Sequence, residues 1–327
     1  MLSTIFLLPL LLLVSFTGAH TKNPKRGIGF ASSVPGDIIN ANQTNSVISW
    51  QYNWATLPPD YLATSNIAYI PMQWGSVGVD SFSSSVKILG SNTILAFNEP
   101  DNIDEANMLP EEAASLWMQF LEPLKSQGIR LGGPAVTAAG SGRPWLTSFL
   151  SACSNCTIDF LPVHWYGTGF EGFAAYLGDV HNAFPKYPLW VTEYAETSNN
   201  DTEVLNFMNQ TLTFLDGLDW VERYAWFGFF RPSSPDVHYG MLRDDGGLNA
   251  LGELYLGAKT VHTENATSAP TTTLNTVNGA DNPTQLPATT WAPLNGSAQR
   301  ASGSCAHLWL LGLTFVSGLF GVASVTW

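Results

Sequence analysis

The sequence predicts a (β/α)8 barrel forming a single catalytic domain, and three observations lead there. Eight short runs rich in aromatic and β-branched residues recur within about 240 residues of chain. The segments between them are long enough to be helices, and the clearest of these carry helical periodicity. An open doubly wound sheet would show a glycine-rich phosphate loop after its first strand. Gly27-Ile28-Gly29-Phe30 instead continues as Ala31-Ser32-Ser33, with no third glycine.

The eight runs are Arg26 to Ala31, Ile48 to Trp54, Ala68 to Trp74, Thr93 to Asn98, Arg130 to Val136, Ile158 to Tyr166, Leu189 to Tyr194 and Arg223 to Phe230. Apolar runs of this length read as strands buried in a parallel sheet. Between the fourth and fifth lies the best helix, Pro110 to Gln127. Pro110, Glu111 and Glu112 suit a first turn, where a missing N–H costs little and negative charge faces the helix dipole. Ala113, Leu116, Trp117, Phe120, Leu121 and Leu124 then line one face. Pro123 should bend the last turn and Gly128 should end it. Between the seventh and eighth runs, Val204, Met208, Leu212 and Leu215 mark a second helix from Thr202 to Leu215.

The flanks differ in composition from this 24–262 region. Residues 1–19 read as a signal peptide, with an apolar run from Ile5 to Phe16 and small residues Thr17-Gly18-Ala19 for cleavage. Residues 263–305 are rich in Thr, Ser, Asn, Pro and Ala and too poor in aliphatic side chains to fold, so a glycosylated stalk is expected. Residues 306–327 are uncharged and apolar. With the small residues Asn295-Gly296-Ser297 and a polar spacer before them, they read as a GPI-attachment signal rather than a plain tail anchor. Asn295 is the preferred attachment residue, with Ser297 and Ser302 as alternatives. Sequons at Asn42, Asn155, Asn200, Asn209, Asn265 and Asn295 agree with a secretory route to the cell surface.

Of three cysteines, Cys305 falls in the segment that GPI attachment removes. Cys153 and Cys156 remain and are expected to form a small structural disulfide in a helix-to-strand loop. A redox or zinc role is disfavoured because no second C-x-x-C exists. The net charge of −13, with 13 basic residues, disfavours nucleic acid and anionic membranes as partners. Membrane association is expected only through the anchor, and a monomer is expected. Twelve Trp and ten Tyr suit stacking on sugar rings, although Trp is equally a core residue.

Barrel enzymes carry their chemistry at the C-terminal ends of the strands. Here those ends read Trp50-Gln51-Tyr52-Asn53-Trp54, Gln73-Trp74, Asn98-Glu99-Pro100-Asp101, His164-Trp165-Tyr166, Glu193-Tyr194 and Trp226-Phe227. No phosphate loop, metal triad or Ser-His nucleophile is evident. Glu99 and Glu193 end the fourth and seventh runs, where carboxylates can approach across a small barrel. Such a pair suits glycosidic bond cleavage by double displacement, with no cofactor. Glu99 is expected as acid/base with a raised pKa, and Glu193 as the ionised nucleophile. Asn98 would bind the sugar 2-hydroxyl, given an irregularity at the strand end. Tyr166 or His164 would orient Glu193. Trp50, Trp54, Trp74, Trp165 and Trp226 are stacking candidates, and Tyr52, Asn53 and Gln73 complete the expected substrate-binding set.

The ordered segments Tyr52-Asn53-Trp54, Pro71-Met72-Gln73-Trp74-Gly75, Phe97-Asn98-Glu99-Pro100-Asp101, His164-Trp165-Tyr166, Trp190-Val191-Thr192-Glu193, Arg223-Tyr224-Ala225-Trp226-Phe227 and Leu248-Asn249-Ala250-Leu251-Gly252 resemble glycoside hydrolase family 128, the alkali-sensitive-linkage type of fungal wall protein. The resemblance spans nearly all of residues 26–257. It implies a compact barrel with retaining endo-β-1,3-glucanase action on cell-wall glucan, acid/base Glu99 and nucleophile Glu193. A glucan-binding wall protein with little turnover and a β-glucan transglycosylase are the alternatives.

Overall fold

The computed structural model describes residues 21–261. The expected signal peptide, stalk and GPI-signal tail, with Asn265, Asn295 and Cys305, lie outside the described residues. Within the described residues no helix is long and apolar enough to cross a membrane.

All eight runs become strands: β1 (Arg26–Phe30), β2 (Trp50–Tyr52), β3 (Ala68–Tyr69), β4 (Thr93–Ile94), β5 (Arg130–Leu131), β6 (Leu161–Gly167), β7 (Leu189–Glu196) and β8 (Val221–Phe229). Six of them pair in the order β3-β2-β1-β8-β7-β6, and β4 pairs with β5. Every strand pair is parallel. Single parallel bridges close the ring, Met72 to Leu95 between β3 and β4, and Gly132 to Phe160 between β5 and β6. The result is an eight-stranded barrel with no free edge.

A 3-10 turn, Pro35–Ala41, follows β1, and helices follow the other strands. They are α1 (Asp60–Ala63), α2 (Val79–Leu89), α3 (Pro110–Leu116), α4 (Gly142–Ala152), α5 (Phe170–Ala183), α6 (Asp201–Gly217) and α7 (Ala250–Leu256). The helix expected from Pro110 to Gln127 is present but changes pitch twice. A π turn spans Trp117–Leu121 and a 3-10 turn spans Glu122–Gln127. Pro123 explains this: it has no N–H and its ring crowds the carbonyl four residues back, so the turn before it widens. Gly128 ends the segment at φ +79°, the left-handed conformation that a side chain disfavours. The second expected helix is α6, capped by the Asn200 side chain, which accepts from the Thr202 N–H.

The barrel separates two cores. The larger lies between strands and helices. The smaller fills the barrel with Trp50, Tyr52, Ile70, Met72, Leu95, Phe160, Trp190 and Ala225. Phe160 and Trp190 stack at 3.9 Å between ring centroids, and the Arg223 guanidinium lies 4.5 Å above the Trp190 ring. Glycine makes room for these rings. A Cβ at Gly27 would sit 2.0 Å from Trp50, and one at Gly132 would sit 2.5 Å from Phe160. The plug fills the barrel beneath its C-terminal face. The Cys153–Cys156 disulfide is present in the loop between α4 and β6.

Trp190 is fully buried and donates its indole N–H to Glu222 at 2.9 Å. Trp190→Ala should therefore destabilise the domain by about 3–5 kcal/mol, the cost of removing a large buried aromatic, read as a lowered urea midpoint with unchanged m-value.

Candidate active site

The C-terminal face gathers Glu99 and Glu193 through two backbone irregularities. At the end of β4 the Asn98 N–H donates to Trp74 O at 2.8 Å, and the Glu99 N–H donates to Ala135 O at 2.7 Å. Glu99 itself has φ +42°. A non-glycine residue rarely adopts this conformation, and it persists where surrounding bonds impose it. The second irregularity is in β7. Val163 pairs with Val191 but His164 pairs with Glu193, so Thr192 is an extra residue. Such a bulge re-aims the side chain that follows it. Tyr52, beneath, holds the bulge by donating its hydroxyl to Thr192 O at 2.8 Å.

His164, on β6, sits between the two carboxylates with 1 % of its side chain exposed. Its Nδ1 is 2.8 Å from Glu99 Oε1, and its Nε2 is 3.4 Å from Glu193 Oε1 and 3.0 Å from Thr192 Oγ1. Ligand atoms of Glu99, His164 and Glu193 all lie within 4.8 Å of one another. Glu193 accepts from the Tyr166 hydroxyl at 2.5 Å and from the Trp54 indole N–H at 2.7 Å, one on each oxygen. Glu99 accepts from Asn102 Nδ2 at 3.1 Å on its second oxygen.

These contacts set the proton affinities. Burial alone would raise Glu99, but the hydrogen bond and charge of His164, with Asn102, outweigh it and hold the carboxyl below its usual range. Burial raises Glu193, and the charge of Glu99 adds to it. The opposing effects of His164, Tyr166 and Trp54 leave Glu193 above its usual range. Burial disfavours the imidazolium, yet Glu193 and Glu99 override it and push His164 up to about 8. The sequence predicts a raised Glu99 and an ionised Glu193. The site has the reverse bias, because the imidazole bonds directly to Glu99.

Strand alternation decides the fate of the other expected contacts. Trp54 and Tyr166 stand beside Glu193, and Phe227 packs between them at 5.8 and 5.5 Å from their rings. Trp74 is half-buried and rests on the inner plug, as Trp54 does. Trp50 and Tyr52 point into the barrel but lie in the plug below and offer no face to a sugar. Trp165 and Trp226 point outward, which corrects their expected stacking role. Trp165 stacks on Phe207 at 5.4 Å, and the Trp226 indole N–H donates to Tyr239 O at 2.9 Å. Asn53 and Gln73 are likewise engaged by the protein, Asn53 by β3 and Gln73 by the loop that follows it. Asn53 accepts from the Tyr69 hydroxyl at 2.6 Å, and Gln73 donates to Gly75 O and Val77 O at 2.7 and 2.9 Å. His164 is enclosed behind the carboxylates rather than open to substrate. Two residues at the site had no recognisable sequence signal, Asn102 and Glu105. Both come from the irregular loop after β4.

Residues 27–255 match the family model described as a glycosyl hydrolase catalytic core. A curdlan-specific exo-β-1,3-glucanase of family 128 from Blastomyces gilchristii, solved with glucose, is 33% identical with a TM-score of 0.62 and covers 72% of this chain and 99% of its own. The chain belongs to glycoside hydrolase family 128. Another family 128 structure, an endo-β-1,3-glucanase from Amycolatopsis mediterranei with laminaritriose, is 32% identical with a TM-score of 0.58, covering 71% of this chain and 98% of its own. Alkali-sensitive linkage protein 1 of Schizosaccharomyces pombe is 35% identical over 245 residues, 71% of this chain. The match spans 44% of that relative's length.

The raised His164 has a signed consequence. Its folded pKa of about 8 exceeds the ordinary 6.5, so its contribution to stability is complete below about pH 6.5 and is lost as pH rises through 8. Imidazole NMR should show His164 titrating near 8, and Glu193→Gln should lower that value by removing the largest charge that holds it up. An unshifted titration in the variant would contradict this electrostatic account.

Proposed function

We propose that this family 128 domain hydrolyses β-1,3-glucan with retention of anomeric configuration, using Glu99 as acid/base and Glu193 as nucleophile. The observation that carries the reading is the approach of Glu99 and Glu193 oxygens to within 4.8 Å. Retaining enzymes hold their carboxyls about 5–5.5 Å apart, whereas inverting enzymes leave about 6.5–9.5 Å for a water between them. The β-1,3 linkage is supported by the activity named for the related structures from Blastomyces gilchristii and Amycolatopsis mediterranei. The half-exposed rings of Trp54, Tyr166 and Trp74 suit a sugar chain in the cleft.

The partners of each carboxylate support its role. Glu193 is held on both oxygens by Tyr166 and Trp54, neither of which takes a proton from it. That fixes a nucleophile for attack on the anomeric carbon. Glu99 instead faces a proton carrier. Moving the shared proton from His164 Nδ1 to Glu99 Oε1 along their 2.8 Å hydrogen bond creates the acid without changing the proton count of the site. In the first step Glu193 forms the glycosyl ester while Glu99 protonates the departing glycosidic oxygen. Esterification removes the Glu193 charge, which lowers the proton affinity of Glu99 and suits it to act as base. Water then gives its proton to Glu99, attacks the same carbon and releases Glu193. Asn98 is assigned to the sugar 2-hydroxyl beside the scissile bond. A secreted setting is supported by the Cys153–Cys156 disulfide and by exposed sequon residues Asn155, Asn200 and Asn209, with Asn42 half-buried.

Incubation with laminarin oligosaccharides tests the reading. Glu99→Gln and Glu193→Gln should each lower kcat by about 10²–10⁴-fold or more while oligosaccharide binding survives. Proton NMR of the first product should show the β-anomer. Absence of product from the wild-type protein despite binding would leave a glucan-binding protein. Products longer than the substrate would show transfer to a sugar, and the size distribution separates attack on chain interiors from attack on ends.

A further inference from the structure

The loop from Pro100 to Leu109 folds back onto the strand end it leaves. The Asn102 N–H donates to Glu99 O at 2.9 Å, Glu105 to Asn102 O at 3.2 Å, Ala106 to Asn98 O at 3.1 Å and Met108 to Pro100 O at 3.0 Å. Asn107 takes φ +45° to complete the return. Met108 is buried, and its carbonyl accepts from the Trp145 indole at 2.7 Å, which ties the loop to α4. Asp101 accepts from the Thr137 N–H, Thr137 Oγ1 and Ser141 Oγ and fixes the other end.

This fold places a third carboxyl at the site. Asn98 Nδ2 donates to Glu105 Oε2 at 3.1 Å, while the buried Asn98 Oδ1 has no hydrogen-bond partner among the described residues. One amide N–H is therefore committed. The second N–H and Oδ1 are the groups left for a ligand. A double displacement requires only two carboxyls, so Glu105 must act in another way. We propose that Glu105 is a positioning residue that fixes the Asn98 amide for the sugar hydroxyls beside the scissile bond, and that its charge governs the basic limb of the pH–activity profile. This rests on the glycosidase reading above.

The charged groups acting on Glu105 are Glu99 at the end of β4, Glu193 on β7 and His164 on β6. Burial, then the charges of Glu99 and Glu193, raise it to about 7, against the Asn98 bond and His164. Glu105 thus gains its charge as pH passes through neutrality. A carboxylate there strengthens the hold of Glu99 and His164 on their shared proton, and so delays loss of the acid as pH rises. The neutral acid still accepts from Asn98 through its carbonyl, so positioning persists on both sides of the transition.

The test compares kcat and KM against pH on laminarin oligosaccharides for wild type, Glu105→Gln, Glu105→Ala, Asn98→Ala and Asn98→Ala/Glu105→Ala. Glu105→Gln retains the acceptor and loses the charge. Its basic limb should move about one pH unit lower. Glu105→Ala should lose about tenfold in kcat with little change in KM, and Glu105→Gln should recover most of that loss. The double variant should be no worse than Asn98→Ala alone. A Glu105→Gln profile superimposed on wild type, or losses that multiply in the double variant, would overturn the inference. A second readout does not need turnover. The Asn98 side-chain amide resonance should titrate near pH 7 in wild type and lose that transition in Glu105→Gln. A flat wild-type amide would end this inference even in an active enzyme, whereas a titrating amide in an inactive protein would instead reject the glycosidase reading.

Discussion

His164 lies between two buried carboxylates, and their close approach depends on one imidazole serving both. Removing a carboxylate from water costs several kcal/mol even after relaxation, and two negative charges side by side repel as well. His164 Nδ1 at 2.8 Å from Glu99, and Nε2 at 3.4 Å from Glu193, supply donors and a positive charge between them. Tyr166 and Asn102 donate to the remaining oxygens of Glu193 and Glu99, and Trp54 donates to the Glu193 oxygen that faces His164. The opposite proton biases of Glu99 and Glu193 follow from where that imidazole sits.

This arrangement requires a closed barrel with local faults in it. Regular strands alternate their side chains, and strict alternation would not bring every member of the set to one face. The left-handed Glu99 turns the chain just after the Asn98 bridge that extends β4, and the Thr192 bulge brings Glu193 opposite His164. Trp54 also has positive φ, at +60°, where it reaches Glu193. Three backbone departures at three contributors to one site are the pattern expected when function imposes strain and the surrounding fold holds it. The inner plug supports this from below, with Tyr52 bonded to the bulge itself.

The aromatic residues divide among three tasks. Trp50 and Trp190 fill the barrel floor. Trp165 and Trp226 join the strands to the outer helices. Trp54, with Tyr166 and Phe227, forms the wall beside Glu193. Their abundance suggested a sugar cleft, but only position within the barrel separates a floor from a wall. The loop after β4 has the same lesson for polar residues. Asp101 holds loops together, whereas Asn102 and Glu105 face the site, although all three are polar residues of one short segment.

All eight strands and the helix at Thr202 to Leu215 were legible in the sequence, because apolar periodicity is a local property that survives in any context. Glu99 and Glu193 were legible as a pair, since each ends an apolar run of the sequence and barrel strands present their C-terminal ends at one face. The pitch changes around Pro123, the outward turn of Trp165 and Trp226, and the protein contacts of Asn53 and Gln73 were not. The side-chain placements depend on which side of a strand faces the barrel axis, which a single bulge reverses, and the pitch changes depend on how the helix accommodates Pro123. The proton bias of Glu99 was also beyond reach. It arises from an imidazole 65 positions away in the chain and 2.8 Å away in space, and electrostatics follows the second separation.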